Sequence, residues 1–199
     1  VINDDAEKGL PLLQDLLENA RRTLGELHPN TLMVKRNVAA THVILGNLDQ
    51  ATEAVRVALE DNRKQLGAEH PNTIACMYYQ AGIYSLQRKF SESFSLFDET
   101  IEIAQGKLGA DHRTTQRAKN FLAYTLLDAG ETDKAIKLFR ETLESQRIKP
   151  GLEDRETLEM MDGLSLALLA NDELDESESQ IRECFEIRKR TKPEGWRRF

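Results

Sequence analysis

Small and large side chains alternate at three- and four-residue intervals along this chain, and the alternation returns every 42 residues. In one set of stretches, Lys35, Val38, Ala39, Ala40 and His42 come back as Met77, Gln80, Ala81, Gly82 and Tyr84. They return again as Lys119, Leu122, Ala123, Tyr124 and Leu126, and a last time as Met161, Leu164, Ser165, Leu166 and Leu168. In a second set, Ala51, Val55 and Ala58 recur as Ser93, Phe97 and Thr100, as Ala135, Phe139 and Thr142, and as Ser177, Ile181 and Cys184. This spacing gathers one stripe on a helix, where strands would alternate every second residue. Small positions let two helices approach and large ones lock them. One hairpin cannot bury both stripes, so neighbouring hairpins must stack.

A punctuating motif separates the hairpins. Leu24-Gly25-Glu26-Leu27-His28-Pro29-Asn30-Thr31 is repeated as Leu66-Gly67-Ala68-Glu69-His70-Pro71-Asn72-Thr73 and as Leu108-Gly109-Ala110-Asp111-His112-Arg113-Thr114-Thr115. A worn fourth copy runs from Pro150 and Gly151 to Thr157. The glycine suits the left-handed position just past a helix end, and the proline the first turn of the next helix. First helices are predicted from about Pro29, Pro71, Arg113 and Asp154. Breaks follow at Gly46-Asn47, Arg88-Lys89, Gly130-Glu131 and Asn171-Asp172, and second helices start near Leu48, Phe90, Thr132 and Leu174. Ala6 to Leu24 reads as an orphan second helix that Pro11 starts or kinks. The pattern thus predicts an all-α chain of about nine helices. Its parts are an orphan helix over 1–25, repeats over 26–67, 68–109, 110–151 and 152–193, and the start of a truncated repeat over 194–199. Both ends look like cuts through a longer array.

Composition narrows the function. Among 199 residues, 34 acidic against 27 basic side chains leave a net charge of −7, and the basic residues are scattered. Nucleic acid, which needs a concentrated positive footprint, is therefore not an expected partner. The basic cluster Arg188-Lys189-Arg190 with Lys192 reads as a solvated helix face. No apolar run approaches the ~20 residues that span a bilayer, so no membrane partner is expected. The two cysteines, Cys76 and Cys184, follow no metal or redox spacing and fit a reducing, cytoplasmic setting.

Catalytic chemistry is not legible. His28, His70 and His112 occupy the same place in successive repeats, too far apart to share a zinc ion, and a structural role at the helix start is expected. Gly106-Lys107 lacks the surroundings of a phosphate loop. No nucleophile is paired with a base at a defined spacing. A non-catalytic segment with no cofactor and no bound metal is the expectation.

The large-x-x-Leu-small-x-x-aromatic run followed by small-x-x-x-large resembles the tetratricopeptide signature, whose usual period is 34 residues. The eight extra residues are the glycine–histidine motif, which makes the array similar to the long-period repeats of kinesin light chains. The Asn-Asn-Leu-Ala stretch of those repeats is clearest here as Arg36-Asn37-Val38-Ala39 and Lys119-Asn120-Phe121-Leu122-Ala123. The resemblance implies a right-handed α-solenoid of stacked antiparallel helix pairs whose first helices line a concave, peptide-binding surface. The positions on that surface with the most recognition chemistry are Arg36, Asn37, Tyr78, Arg117, Asn120 and Tyr124. Arginine forks onto carboxylates, asparagine pairs with peptide groups, and tyrosine offers rigid contact area. The competing reading packs both tyrosines between adjacent first helices and leaves the arginines solvated. The tail Lys192-Pro193-Glu194-Gly195-Trp196-Arg197-Arg198-Phe199 resembles the junction in repeat arrays attached to bacterial serine/threonine protein kinases. That would make the segment a recruiting or regulatory part of a kinase. Self-assembly through exposed array ends is the third reading.

Overall fold

The computed structural model describes residues 2–148 and 153–191. Among the described residues there are nine α-helices and no strand: α1 (Ile2–Leu24), α2 (Pro29–Ile44), α3 (Leu48–Leu66), α4 (Pro71–Leu86), α5 (Phe90–Leu108), α6 (Arg113–Asp128), α7 (Thr132–Ile148), α8 (Arg155–Ala170) and α9 (Leu174–Thr191). Gly151 of the fourth motif and the tail from Lys192, on which the resemblance to kinase-attached arrays rests, lie outside the described residues. The helices form two compact units, Val1–Gly109 with α1 to α5 and Ala110–Phe199 with α6 to α9. Within each unit, successive helices pack against one another, and first helices also touch the next first helix, α2 on α4 and α6 on α8. The orphan helix is longer than expected. It begins at Ile2 and continues through Pro11, which forfeits one backbone hydrogen bond without ending the helix.

The motif works as punctuation. Gly25, Gly67 and Gly109 adopt φ of 93°, 87° and 95°, and Pro29 and Pro71 open α2 and α4. His28 and His70 cap those helices: each Nδ1 accepts the backbone N–H two residues on, at 3.2 and 3.1 Å. His112 does the same for Thr114, and Asp154 uses a carboxylate oxygen for Glu156. The threonine closes the loop, Thr31 donating to the Gly25 carbonyl and Thr73 to that of Gly67. Since Asp fills the fourth copy, His70→Asp keeps the cap, whereas His70→Ala removes it and costs about 1 kcal/mol, read as a lower urea midpoint.

The turn inside each hairpin also has one requirement. Gly46, Arg88, Gly130 and Asp172 share one register position and all have positive φ, 73°, 63°, 82° and 60°. The following N–H reaches back five residues to close the helix end, Asn47 to His42, Lys89 to Tyr84, Glu131 to Leu126 and Glu173 to Leu168. Two repeats thus carry a side chain where glycine is easier. Arg88→Gly is expected to stabilise unit 1 by up to about 1 kcal/mol, net of the Arg88–Phe90 ring contact, as a rise in melting temperature.

The small positions are where helices of one hairpin meet. Ser93 donates to the Ala81 carbonyl at 2.7 Å and Ser177 to that of Ser165 at 2.9 Å. Ala39, Ala51, Ala81, Ala123 and Ala135 are all buried there. The second-helix stripe is buried throughout, with one departure: Ile181 is 53% exposed, because no described helix lies on the outer face of α9.

Candidate binding face on the first helices

The six expected recognition residues divide between the units, and each unit is taken by itself. In unit 1, Arg36 and Asn37 stand on α2, half-buried, between exposed Met33 and Ile44. No carboxylate among the described residues pairs with Arg36. Tyr78 is only 2% exposed and is part of the core, with its ring centroid 4.9 Å from that of Tyr79. The α4 residues in register with Asn37, Ala40 and Ile44 are Tyr79 and Gly82, both half-buried, and Leu86, which is exposed.

Register explains the burial of Tyr78. In the last hairpin, Asp162 of α8 takes a two-pronged bond from Arg188 of α9, at 2.9 and 2.5 Å. The same pair of positions reads Asn120 with Gln146, Tyr78 with Ala104, and Arg36 with Asn62. A large ring on α4 is matched by the smallest side chain on α5, and Ala104 is fully buried. A residue here is drawn toward the second helix as far as its partner leaves room, so Tyr78 is buried whereas Arg36 and Asn120 stay half-buried and reach the surface. Tyr78, expected on the open face, is thus not available to a ligand there.

In unit 2 the expected residues are engaged. Arg117 and Arg113 each place Nε 2.8 Å from one oxygen of Glu156, whose side chain is only 6% exposed. Two guanidinium groups around one buried carboxylate form a charge-assisted cluster. Tyr124 donates its hydroxyl to the Glu159 carbonyl at 3.0 Å and meets Phe139 edge-on at 5.2 Å. Burial first, then the charges of Asp162 and Glu159, push the Tyr124 phenol up to about 12. Asn120 is half-buried, and its Oδ1 is buried without a partner among the described residues. Sequence reasoning overlooked Glu156, an acidic residue buried only because two arginines precede it one repeat earlier.

Among the described residues, no group of three His, Cys, Asp or Glu is placed to hold a metal ion, and no helix is long and apolar enough to cross a membrane. The thiols are inert by position, burial raising Cys76 to about 11 and Cys184 to about 12, the latter with help from Asp162.

Stacked helical hairpins with mixed polar and apolar first-helix faces define a class of protein-interaction repeats. Tetratricopeptide repeat models match residues 2–64, 36–106 and 73–148, and a further one matches 157–191. The chain belongs to the tetratricopeptide repeat family. It is similar in fold to a Podosopora anserina kinesin light chain candidate with nearly identical TPR-like repeats. That match has a TM-score of 0.64 and 21% identity, over 96% of this chain and 90% of that one. It is also similar to BtubC (BKLC) from P. vanneervenii, with a TM-score of 0.69 and 18% identity over 92% of this chain and 73% of that one. MamA AMB-1 is a third neighbour, at 0.53 and 16%, over 94% and 95%. No curated protein sequence matches the chain.

Proposed function

We propose that this chain is a non-catalytic scaffold that holds an extended, acidic peptide segment of a partner protein against its first helices. The observation that carries the reading is the α2–α4 face of unit 1. There Arg36 and Asn37 offer donors beside Met33 and Ile44, and Tyr79 and Leu86 continue the surface on the next first helix. A guanidinium with an adjacent amide suits a carboxylate and a peptide group, and the apolar neighbours suit intervening side chains. In unit 2, Arg117, Asn120 and Tyr124 support the corresponding face, with Arg117 held in place by Glu156. The buried thiols favour a reducing, cytoplasmic setting.

An array of acidic peptides scored by fluorescence polarisation tests this. Peptides that bind the parent are expected to lose at least tenfold in affinity to Arg36→Glu and several-fold to Asn37→Ala. Arg155→Glu, an exposed charge on α8, is the control and leaves binding in place. Affinities indifferent to both α2 substitutions remove this face from the reading.

A further inference from the structure

The second helices of the four hairpins start with the same acid, except one. The second residues of α3, α7 and α9 are Asp49, Asp133 and Asp175, and the 42-residue register puts Ser91 at that place in α5. Arg88 and Lys89 lead into α5, where the other hairpins have Gly46-Asn47, Gly130-Glu131 and Asp172-Glu173. The second repeat has thus exchanged an acid for a hydroxyl and set two cations in front of it. Arg88 also bears a backbone cost, because it holds φ of 63° where two repeats use glycine and the other aspartate. A bulky residue kept in that region points to a task outside folding.

We propose that Ser91 is a phosphorylation site, modified by a serine kinase that reads cations three and two positions before its target. Such kinases select by charge complementarity to the residues ahead of the hydroxyl. Arg-x-x-Ser or Arg-x-x-Thr occurs twice in this sequence, ending at Ser91 and at Thr191. Thr191 is half-buried and donates its hydroxyl to the Ile187 carbonyl at 3.0 Å, and its Arg188 is tied to Asp162. Ser91, Arg88 and Lys89 are all exposed. Ser91 is therefore the copy that a kinase can reach in the folded chain.

The reaction moves the γ-phosphoryl group of a nucleoside triphosphate to the Ser91 Oγ. An Oγ–P bond forms, the P–O bond to the leaving nucleoside diphosphate breaks, and the hydroxyl proton goes to a base on the kinase. The product suits the helix start that carries it. Lys89, at the cap of α5, makes no side-chain hydrogen bond to the first-turn N–H groups, so those donors and the positive end of the helix face the new dianion. Glu92 follows directly, but α9 opens with two adjacent acids, Asp175 and Glu176, in the same places. Phosphorylation restores, with more charge, what the other three hairpins carry permanently.

The test incubates the full chain with labelled ATP and the catalytic subunit of a cyclic-AMP-dependent protein kinase, and locates the modified residue by peptide mass spectrometry. One phosphoryl group at Ser91 is expected, absent from Ser91→Ala and added at least tenfold more slowly to Arg88→Gly. The glycine relaxes the backbone at that turn, so a slower rate there does not come from unfolding. The phosphorylated chain is expected to melt about 1–5 °C above the parent, and Ser91→Asp to recover part of that rise. Incorporation at Thr191 in place of Ser91, or only after heat denaturation, overturns the proposal. So does a rate indifferent to Arg88→Gly, or a lower melting temperature on phosphorylation.

Discussion

Gly163→Ala is expected to destabilise unit 2 by about 2 kcal/mol, lowering its melting temperature by roughly 8–16 °C. The sign runs against helix propensity, because alanine inside a helix ordinarily gains up to about 1 kcal/mol over glycine. Here the added carbon would stand 2.6 Å from two ring atoms of Phe139 and 2.9 Å from Tyr124. Phe139 is fully buried, and the Tyr124 hydroxyl is bonded to the Glu159 carbonyl, so neither ring can swing aside cheaply. The helix must lift away or the rings must leave their wells, and either loosens the contacts among Leu143, Met160, Met161, Leu164 and Leu168. A second substitution separates this from a generic helix effect. Phe139→Leu alone opens a cavity and is destabilising, but in its background Gly163→Ala should cost much less, and this coupling is what a double-mutant cycle reads. Equal effects of Gly163→Ala in the two backgrounds would place the clash elsewhere.

The same glycine shows how far the sequence could be read. The period, the helix starts and stops and the small contact positions were legible because backbone requirements repeat unchanged: a left-handed residue, a cap, a close approach. In the sequence Gly163 is only a departure from the Asn-Asn-Leu-Ala stretch, which reads Asp162-Gly163-Leu164-Ser165 in the fourth repeat. Its cause lies one repeat earlier, in the size of Phe139 and Tyr124, and a register reading taken helix by helix does not link them. The recognition face was less legible for the same reason. Tyr78 and Asn37 look alike as polar positions on first helices, but Ala104 leaves room for the ring of Tyr78 and draws it into the core. Glu156 is a surface residue by type and is buried because Arg113 and Arg117 converge on it. Propensity and period determine where the helices lie. The pairing of particular side chains across them determines what stays exposed.

Lys35 makes that point with a charge, and Lys35→Ala is expected to cost roughly 2–3 kcal/mol. The ammonium is 5% exposed and lies 2.5 Å from Glu26 and 2.6 Å from Asp61. Removing it leaves Asp61, whose side chain is 18% exposed, without its cation; the loss is moderated because Glu26, at 57%, returns to water. The register offers a replacement. Met77 and Met161 hold the same position in the second and fourth hairpins and are buried, so Lys35→Met refills the space; it leaves Asp61 without its cation as alanine does, and should cost about 1 kcal/mol less than Lys35→Ala. Acid separates Lys35→Met from the parent further. The hydrogen bond from Lys35, with its charge and that of Arg21, holds the Glu26 carboxyl below the usual range despite some desolvation. A depressed folded value means that this contribution is present above the unfolded carboxylate pKa and is lost as pH falls through the folded one. Urea midpoints of the parent should therefore drop across that acid window by more than those of Lys35→Met, and parallel curves would show that the ion pair contributes nothing to folding.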